Sequence, residues 1–300
     1  MIQAAPPKSC ALDPVPTHIV KSVSDTPGPL IHKIINLSLA QSKVPSSFKT
    51  AIVKPLLKKP ELDTIHKNYR PVSNLAFVSK LIEQSVIDQI EHHFESNNLN
   101  DEFQSAYRAN HSTETALLHI TNNILLSMDN RRAVCMVMLD LSAAFDTLDH
   151  NIMLERLSNT QGLGPCITGW FESYLRGRTQ RVSVDEATSD HLHLLEGAVQ
   201  GSKMGCRLYK KYVEPLGNML QHSDCDYHGY ADDNTIWKQV DPKSSIDIEF
   251  GLRALNTIVE ETRRWMFANK LCLNNSKTEF IVFGCKRHVK EMPKCSIQIG

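Results

Sequence analysis

The 300 residues suffice for one large domain or two small ones, and an apolar fraction of 41% can build a packed core. Lys+Arg and Asp+Glu balance at 33 each, so no global basic field marks a nucleic-acid partner and any basic surface has to be local. The eight cysteines lack CxxC pairing, which speaks against a zinc ribbon or a disulfide framework and for a reducing compartment.

Residues 1–29 hold six prolines among small polar residues and read as a mobile lead-in. They carry no signal-peptide pattern, and no stretch reaches the ~18 apolar residues of a membrane span. A short helix over 30–40 follows. Residues 49–60 set Lys49, Lys54, Lys58 and Lys59 around Ile52, Val53, Leu56 and Leu57. Pro55 and Pro60 point to an edge strand there, whose lysines either steer a phosphate backbone or guard the edge.

Residues 68–73 read as a turn into a helix over 74–94, with Val78, Leu81, Ile82, Val86, Ile90 and Phe94 on one stripe. Ser112 or Thr113 caps a second amphipathic helix, whose stripe is Leu117, Ile120, Ile124 and Leu125. Residues 133–139 form the continuous apolar run of a buried central strand, ending in Asp140.

Helices are expected over 152–159 and 165–176, and strands over 179–184 and 193–199. A helix over 203–220 keeps Met204, Leu208, Tyr212 and Leu216 at intervals of four. Its remaining face carries Lys203, Arg207, Lys210, Lys211 and Glu214. Two β-prone runs, 225–230 and 235–240, flank the turn residues around Asp232-Asp233. A long helix over 245–268 precedes a closing hairpin around Asn274-Asn275. This mixed order with antiparallel hairpins predicts an α+β fold.

Side chains alternate along a strand, so Asp232 and Asp233 can aim at one point only from a hairpin tip. Alone, such a pair reads as a solvated turn. If the strand ending in Asp140 is its neighbour, three hard-oxygen ligands converge on a site suited to Mg²⁺. Two such ions about 4 Å apart serve nucleotidyl transfer. A GxxxxGK-type phosphate loop is absent, which weakens a nucleotide-hydrolase reading. His92-His93, His191 and His193 have no ligand partners at metal-binding spacing.

Six blocks in order resemble the reverse transcriptase of LINE-type (non-LTR) retrotransposons. They are Asn68-Tyr69-Arg70-Pro71-Val72-Ser73; Phe103-Gln104-Ser105-Ala106-Tyr107-Arg108 with His111-Ser112-Thr113; Leu139-Asp140-Leu141-Ser142-Ala143-Ala144-Phe145-Asp146; Gln200-Gly201-Ser202; Tyr230-Ala231-Asp232-Asp233; and Trp265 followed by Leu271, Leu273, Asn275 and Lys277-Thr278-Glu279.

The resemblance implies polymerase-type fingers (about 49–133) and palm (about 134–284), with an antiparallel palm sheet packed on helices. Residues 1–48 would precede this domain and 285–300 would be a truncated tail, with no thumb, as in a partial copy. It implies that Asp140, Asp232 and Asp233 hold two Mg²⁺ ions, or Mn²⁺ in their place, with the backbone of Leu141 beside the first. Phe145 would exclude a 2′-hydroxyl, Arg108 would meet the triphosphate, and Gln200 would support the new base pair. Tyr230 would pack beside the primer terminus, and Lys277 would protonate pyrophosphate. Arg70, Gly201 and Leu271 would lie along template or primer. The partners implied are an RNA template, a DNA or RNA primer and deoxynucleoside triphosphates, in nucleus or cytoplasm, with no membrane. Asp146 and Asp149 are expected to be helix-entry or surface acids.

Two departures from the family pattern stand out. Val199 stands where the family has a proline before Gln200, and charged residues replace apolar ones over 203–211. A buried charge without a partner costs several kcal/mol, as a rough magnitude. The alternative expectation is therefore a catalytically inactive remnant that at most binds RNA.

Overall fold

The computed structural model describes residues 1–142 and 145–298. Ala143 and Ala144 of the Asp140 block lie outside the described residues. The elements in chain order are α1 (Thr17–Ser22), α2 (Gly28–Ala40), β1 (Thr50–Leu57), β2 (Tyr69–Asn74), α3 (Phe77–Ser96), α4 (Thr113–Asp129), β3 (Ala133–Leu139) and β4 (Leu141–Ser142). They continue as α5 (His150–Asn159), α6 (Pro165–Leu175), β5 (Arg178–Val184), β6 (Ala187–Thr188), β7 (Leu192–Leu194), α7 (Lys203–Gln221) and β8 (Asp226–Tyr230). The last are β9 (Asp233–Val240), α8 (Ser245–Ala268), β10 (Cys272–Leu273), β11 (Glu279–Phe283) and α9 (Lys286–Glu291). The expected α+β class is what is found.

The chain divides into two compact units. One comprises 1–99 and 148–211, and the other 100–147 and 212–300. In the first unit β2 pairs with β1, β1 with β5, and β5 with both β6 and β7. The core beside this sheet is built on α3, whose Leu81, Ile82, Val86, Ile90 and Phe94 are all buried. The amide of Phe77 at the start of α3 donates to Asp13 Oδ1 at 2.6 Å, so the Pro-rich lead-in supplies a cap that Ala76 cannot.

Three expectations fail in this sheet. Residues 69–74 form a strand rather than a turn, and β1 is an inner strand rather than an edge. Its pairing with β5 covers only Thr50 to Val53, so Pro55 lies beyond that stretch, opposite Pro71 of β2. The missing amide of Pro55 therefore interrupts no doubly bonded segment. The strand expected over 193–199 shortens to β7, because Gly197 turns the chain at φ +83°.

Charged residues on α7 are a further departure. Lys210, Lys211 and Glu214 are buried along with Met204, Leu208 and Tyr212, so this helix is enclosed on more than one side. Lys211 Nζ donates to the Leu99 carbonyl and lies 4.2 Å from the Phe94 ring centroid. Arg207 pairs with Glu91 at 2.9 Å and Lys203 donates to Gln84 at 2.8 Å.

In the second unit β11, β3, β9 and β8 form an antiparallel sheet, with the small pair β10–β4 beside it. Alternation along β9 sends Trp237 to one face, where it packs with Val134, Met136, Ile120 and Ile124. Val240 faces the other way, onto Gly251 of α8, where an added Cβ would stand 2.4 Å from Val240 Cγ1. The sheet is thus covered by α4 on one side and α8 on the other.

The stripe of α4 differs from expectation. Leu117 and Leu125 are more than half exposed, and Ala116 and Ser127 are buried instead. Small side chains let the helix sit close to the sheet, which an apolarity pattern does not register. The expected closing hairpin is also absent, since β10 pairs with β4 and β11 with β3 rather than with each other.

Candidate active site

The sheet of the second unit positions the acidic cluster. Antiparallel register pairs Leu139 of β3 with Asn234 of β9, and Tyr230 of β8 with Asp233. Asp140 follows Leu139 directly and so stands one residue past that pair, beside Asp233. Ala231 and Asp232 form the two-residue loop between β8 and β9. The three carboxylates therefore come from two neighbouring strand ends and one tight turn, as the sequence pattern required.

Their electrostatics follow from this crowding. Partial burial, then Asp232, then Asp140 push the Asp233 carboxyl above its usual range, and Lys277 opposes the shift. Lys277 Nζ lies 3.1 Å from Asp140 Oδ2, the Asn274 side-chain amide donates to the same oxygen at 3.0 Å, and the Asn274 backbone amide donates to the Asp140 carbonyl at 2.8 Å. Like charges gathered at a strand end, with a lysine drawn onto one of them, are the donor chemistry of a hard divalent cation. Among the described residues, no three His, Cys, Asp or Glu side chains are closed around one point as ligands are. Asp140 is held by Lys277 and Asn274 instead.

The other predicted residues divide between the units. Beside the acids, Tyr230 closes β8, Leu271 is buried with its amide on the Met266 carbonyl, and Leu141 pairs with Leu273. Phe145 is half-buried. Arg108 donates to the Glu102 carbonyl at 2.9 Å. Asp149 belongs to the first unit, where it caps α5 by accepting from the amides of Asn151 and Ile152.

In the first unit, exposed Arg70 stands opposite Leu56 on β2. The Gln200 carbonyl accepts from the Ser73 amide at 2.8 Å. Gly201 adopts φ +98°, and a Cβ there would meet the Ser73 oxygen at 2.8 Å. Ser202 Oγ donates to Glu83 Oε2 at 2.9 Å, and Tyr174 OH donates to Glu83 Oε1 at 2.8 Å. Complete burial raises the Glu83 pKa, and these hydrogen bonds counter it. The Gln200 loop is thereby tied to β2, α3 and α6 despite lacking the family's proline.

Two residues beside the acids escaped sequence reasoning. Asn274 looked like ordinary turn chemistry, and its partner Asp140 is 134 positions away. Gln104 sits in a block already singled out, yet nothing local shows that its amide reaches Ala231, with Oε1 accepting from the Ala231 N–H at 2.9 Å.

The sequence matches the family model for reverse transcriptase (RNA-dependent DNA polymerase) over residues 57–295. It is 25% identical over 269 residues to the probable RNA-directed DNA polymerase from transposon X-element of Drosophila melanogaster, covering 87% of this chain and 29% of that protein. It is 26% identical over 208 residues to the RNA-directed DNA polymerase from mobile element jockey of the same fly, covering 68% of this chain and 22% of that one. The chain thus spans less than a third of the length of these relatives. Among solved structures, apo telomerase from Candida tropicalis truncated from its C-terminal domain superposes with a TM-score of 0.56 at 13% identity, covering 89% of this chain and 56% of that one. At that identity the likeness is one of fold.

Proposed function

The chain belongs to the reverse transcriptase (RNA-dependent DNA polymerase) family, and on that premise we propose that it is the polymerase domain of a non-LTR retrotransposon, adding deoxynucleotides to a primer on an RNA template. The observation that carries this reading is the meeting of Asp140 with the Asp232-Asp233 turn at adjoining strand ends. Reverse transcriptases as a family use divalent metal ions. In this chain Asp140, Asp232 and Asp233, with the Leu141 backbone, would hold two Mg²⁺ or Mn²⁺. Bound there, the ions would lower the pKa of the primer 3′-hydroxyl and neutralise charge on the leaving pyrophosphate.

The chain's own groups do the rest. The 3′-oxygen gives up its proton to solvent water and bonds to the α-phosphorus as the bond from that phosphorus to the pyrophosphate oxygen breaks. Lys277, already drawn to Asp140, is an ammonium at hand to protonate the departing pyrophosphate. Arg108 offers a planar guanidinium to the triphosphate. Phe145 stands five residues after Asp140 as the ring that a 2′-hydroxyl would strike. Gln200 and Gly201, with Tyr230, Leu271 and Arg70, are assigned to the base pair, primer and template. The charged face of α7 favoured an inactive RNA-binding remnant, but Lys203, Arg207 and Lys211 have polar or charged partners, which supports the polymerase reading at those three positions.

Primer extension on an RNA template with Mg²⁺ tests the proposal. The wild type is expected to extend, and Asp232→Asn to lose extension while keeping RNA binding. A folded wild type that binds RNA without extending would establish the remnant reading instead.

A further inference from the structure

We propose that Gln104 is a positioning residue for the acidic turn, holding Ala231 in the left-handed conformation that sets the direction of Asp232. The proposal deepens the polymerase reading and rests on it for the role of Asp232. Ala231 has φ +57°, a conformation that costs an L residue roughly 1–2 kcal/mol. Something must hold it there, because it is one of only two residues between β8 and β9.

One side chain grips both polar groups of this residue. Gln104 Oε1 accepts from the Ala231 N–H at 2.9 Å, and Gln104 Nε2 donates to the Ala231 carbonyl at 3.4 Å. Rotating the peptides on either side of Ala231 would forfeit these bonds. The amide orientation is fixed as well, since Oε1 also accepts from the Ala106 N–H at 3.0 Å. Reversing the amide would set N–H against N–H at both positions.

The brace is itself anchored. Gln104 is buried at 5% exposure. Its segment pairs with β8 through Gly229 N–H to the Phe103 carbonyl at 2.9 Å and Ser105 N–H to the Gly229 carbonyl at 3.0 Å. Asp101, just upstream, accepts from Tyr227 OH at 2.7 Å and from the Phe103 amide at 2.9 Å. Gly229 leaves the room this requires, because a Cβ there would lie 2.8 Å from Gln104 Nε2. The absence of a side chain at 229 and the amide at 104 are two halves of one device.

The test compares wild type, Gln104→Met, Gly229→Ala and the double variant. Met keeps the length of Gln without its hydrogen bonds, and the methyl group added by Gly229→Ala would displace the amide. Hydrogen exchange at the Ala231 amide is read alongside the Mg²⁺ dependence of extension. Each single variant is expected to speed that exchange by about tenfold or more, as loss of a local closing bond does. Each should also raise the half-saturating Mg²⁺ about fivefold with template–primer affinity unchanged, since a misdirected ligand weakens metal binding rather than RNA contact. The double variant should be no worse than either single one, because both remove the same contact. Unchanged exchange at Ala231, or fully additive effects, would overturn the proposal. Should the wild type fail to extend, the polymerase reading falls, while exchange at Ala231 still decides the brace. Gly229→Ala serves if Gln104→Met does not fold.

Discussion

His228 makes the stability of the second unit acid-sensitive. It lies on β8, buried at 6% exposure, and its Nε2 meets Ser105 Oγ at 2.9 Å. Its Nδ1 has no hydrogen-bond partner among the described residues. The imidazolium would bury a charge and, at Nδ1, an N–H donor with nothing to receive it. Burial first, then the neighbouring His119 and His111, lower its pKa to about 4, with Asp101 opposing. A depressed histidine contributes stability that is present above its unfolded pKa near 6.5 and lost as pH falls through about 4. Linkage over that window gives a loss of about 2 kcal/mol by pH 5 and about 3 kcal/mol by pH 4.

The perturbation is His228→Gln, which keeps a donor for Ser105 and does not titrate. Urea unfolding of both proteins between pH 7 and pH 4 isolates the His228 contribution, because every other group titrates in both. The variant should lose less stability on acidification than the wild type, by about 2 kcal/mol at pH 5. Parallel curves, differing by a constant at every pH, would refute a buried neutral imidazole at this position.

Two further substitutions address the sites assigned above. Gly201→Ala places a Cβ against the Ser73 oxygen at a φ of +98°. It should cost about 1–3 kcal/mol in urea unfolding, with extension falling further because the Gln200–Ser73 bond is next to the distortion; an unchanged unfolding midpoint would show that the loop gives way freely. Phe145→Val should raise ribonucleotide use relative to deoxynucleotide use by about tenfold or more, since steric exclusion is lost without a loss of affinity. An unchanged ratio in a variant that still extends would remove Phe145 from the sugar site.

Much of this was legible in the sequence, for reasons that differ by element. The run at 133–139 is apolar throughout because β3 is covered on both faces, by α4 and by α8. The six blocks identified the reverse transcriptase family, and the family match bears that out. Misreadings arose where local composition competes with pairing. Pro55 looked like an edge marker, yet it merely falls past the part of β1 that pairs with β5. Leu117 and Leu125 looked like core, yet Ala116 and Ser127 let α4 approach the sheet. The lysines of α7 looked like buried charges without partners, yet Lys211 finds the Leu99 carbonyl and the Phe94 ring.

The chain by itself determined the family and which side chains are proposed to carry the chemistry, because carboxylate, guanidinium and ammonium groups are properties of residue type and their order along the chain is the family pattern. Only the tertiary structure decided how they are held. Asn274 and Lys277 reach Asp140 across 134 and 137 positions, and Gln104 reaches Ala231 across 127. Contacts of that span are set by strand register and the packing of whole elements, and no local pattern encodes them.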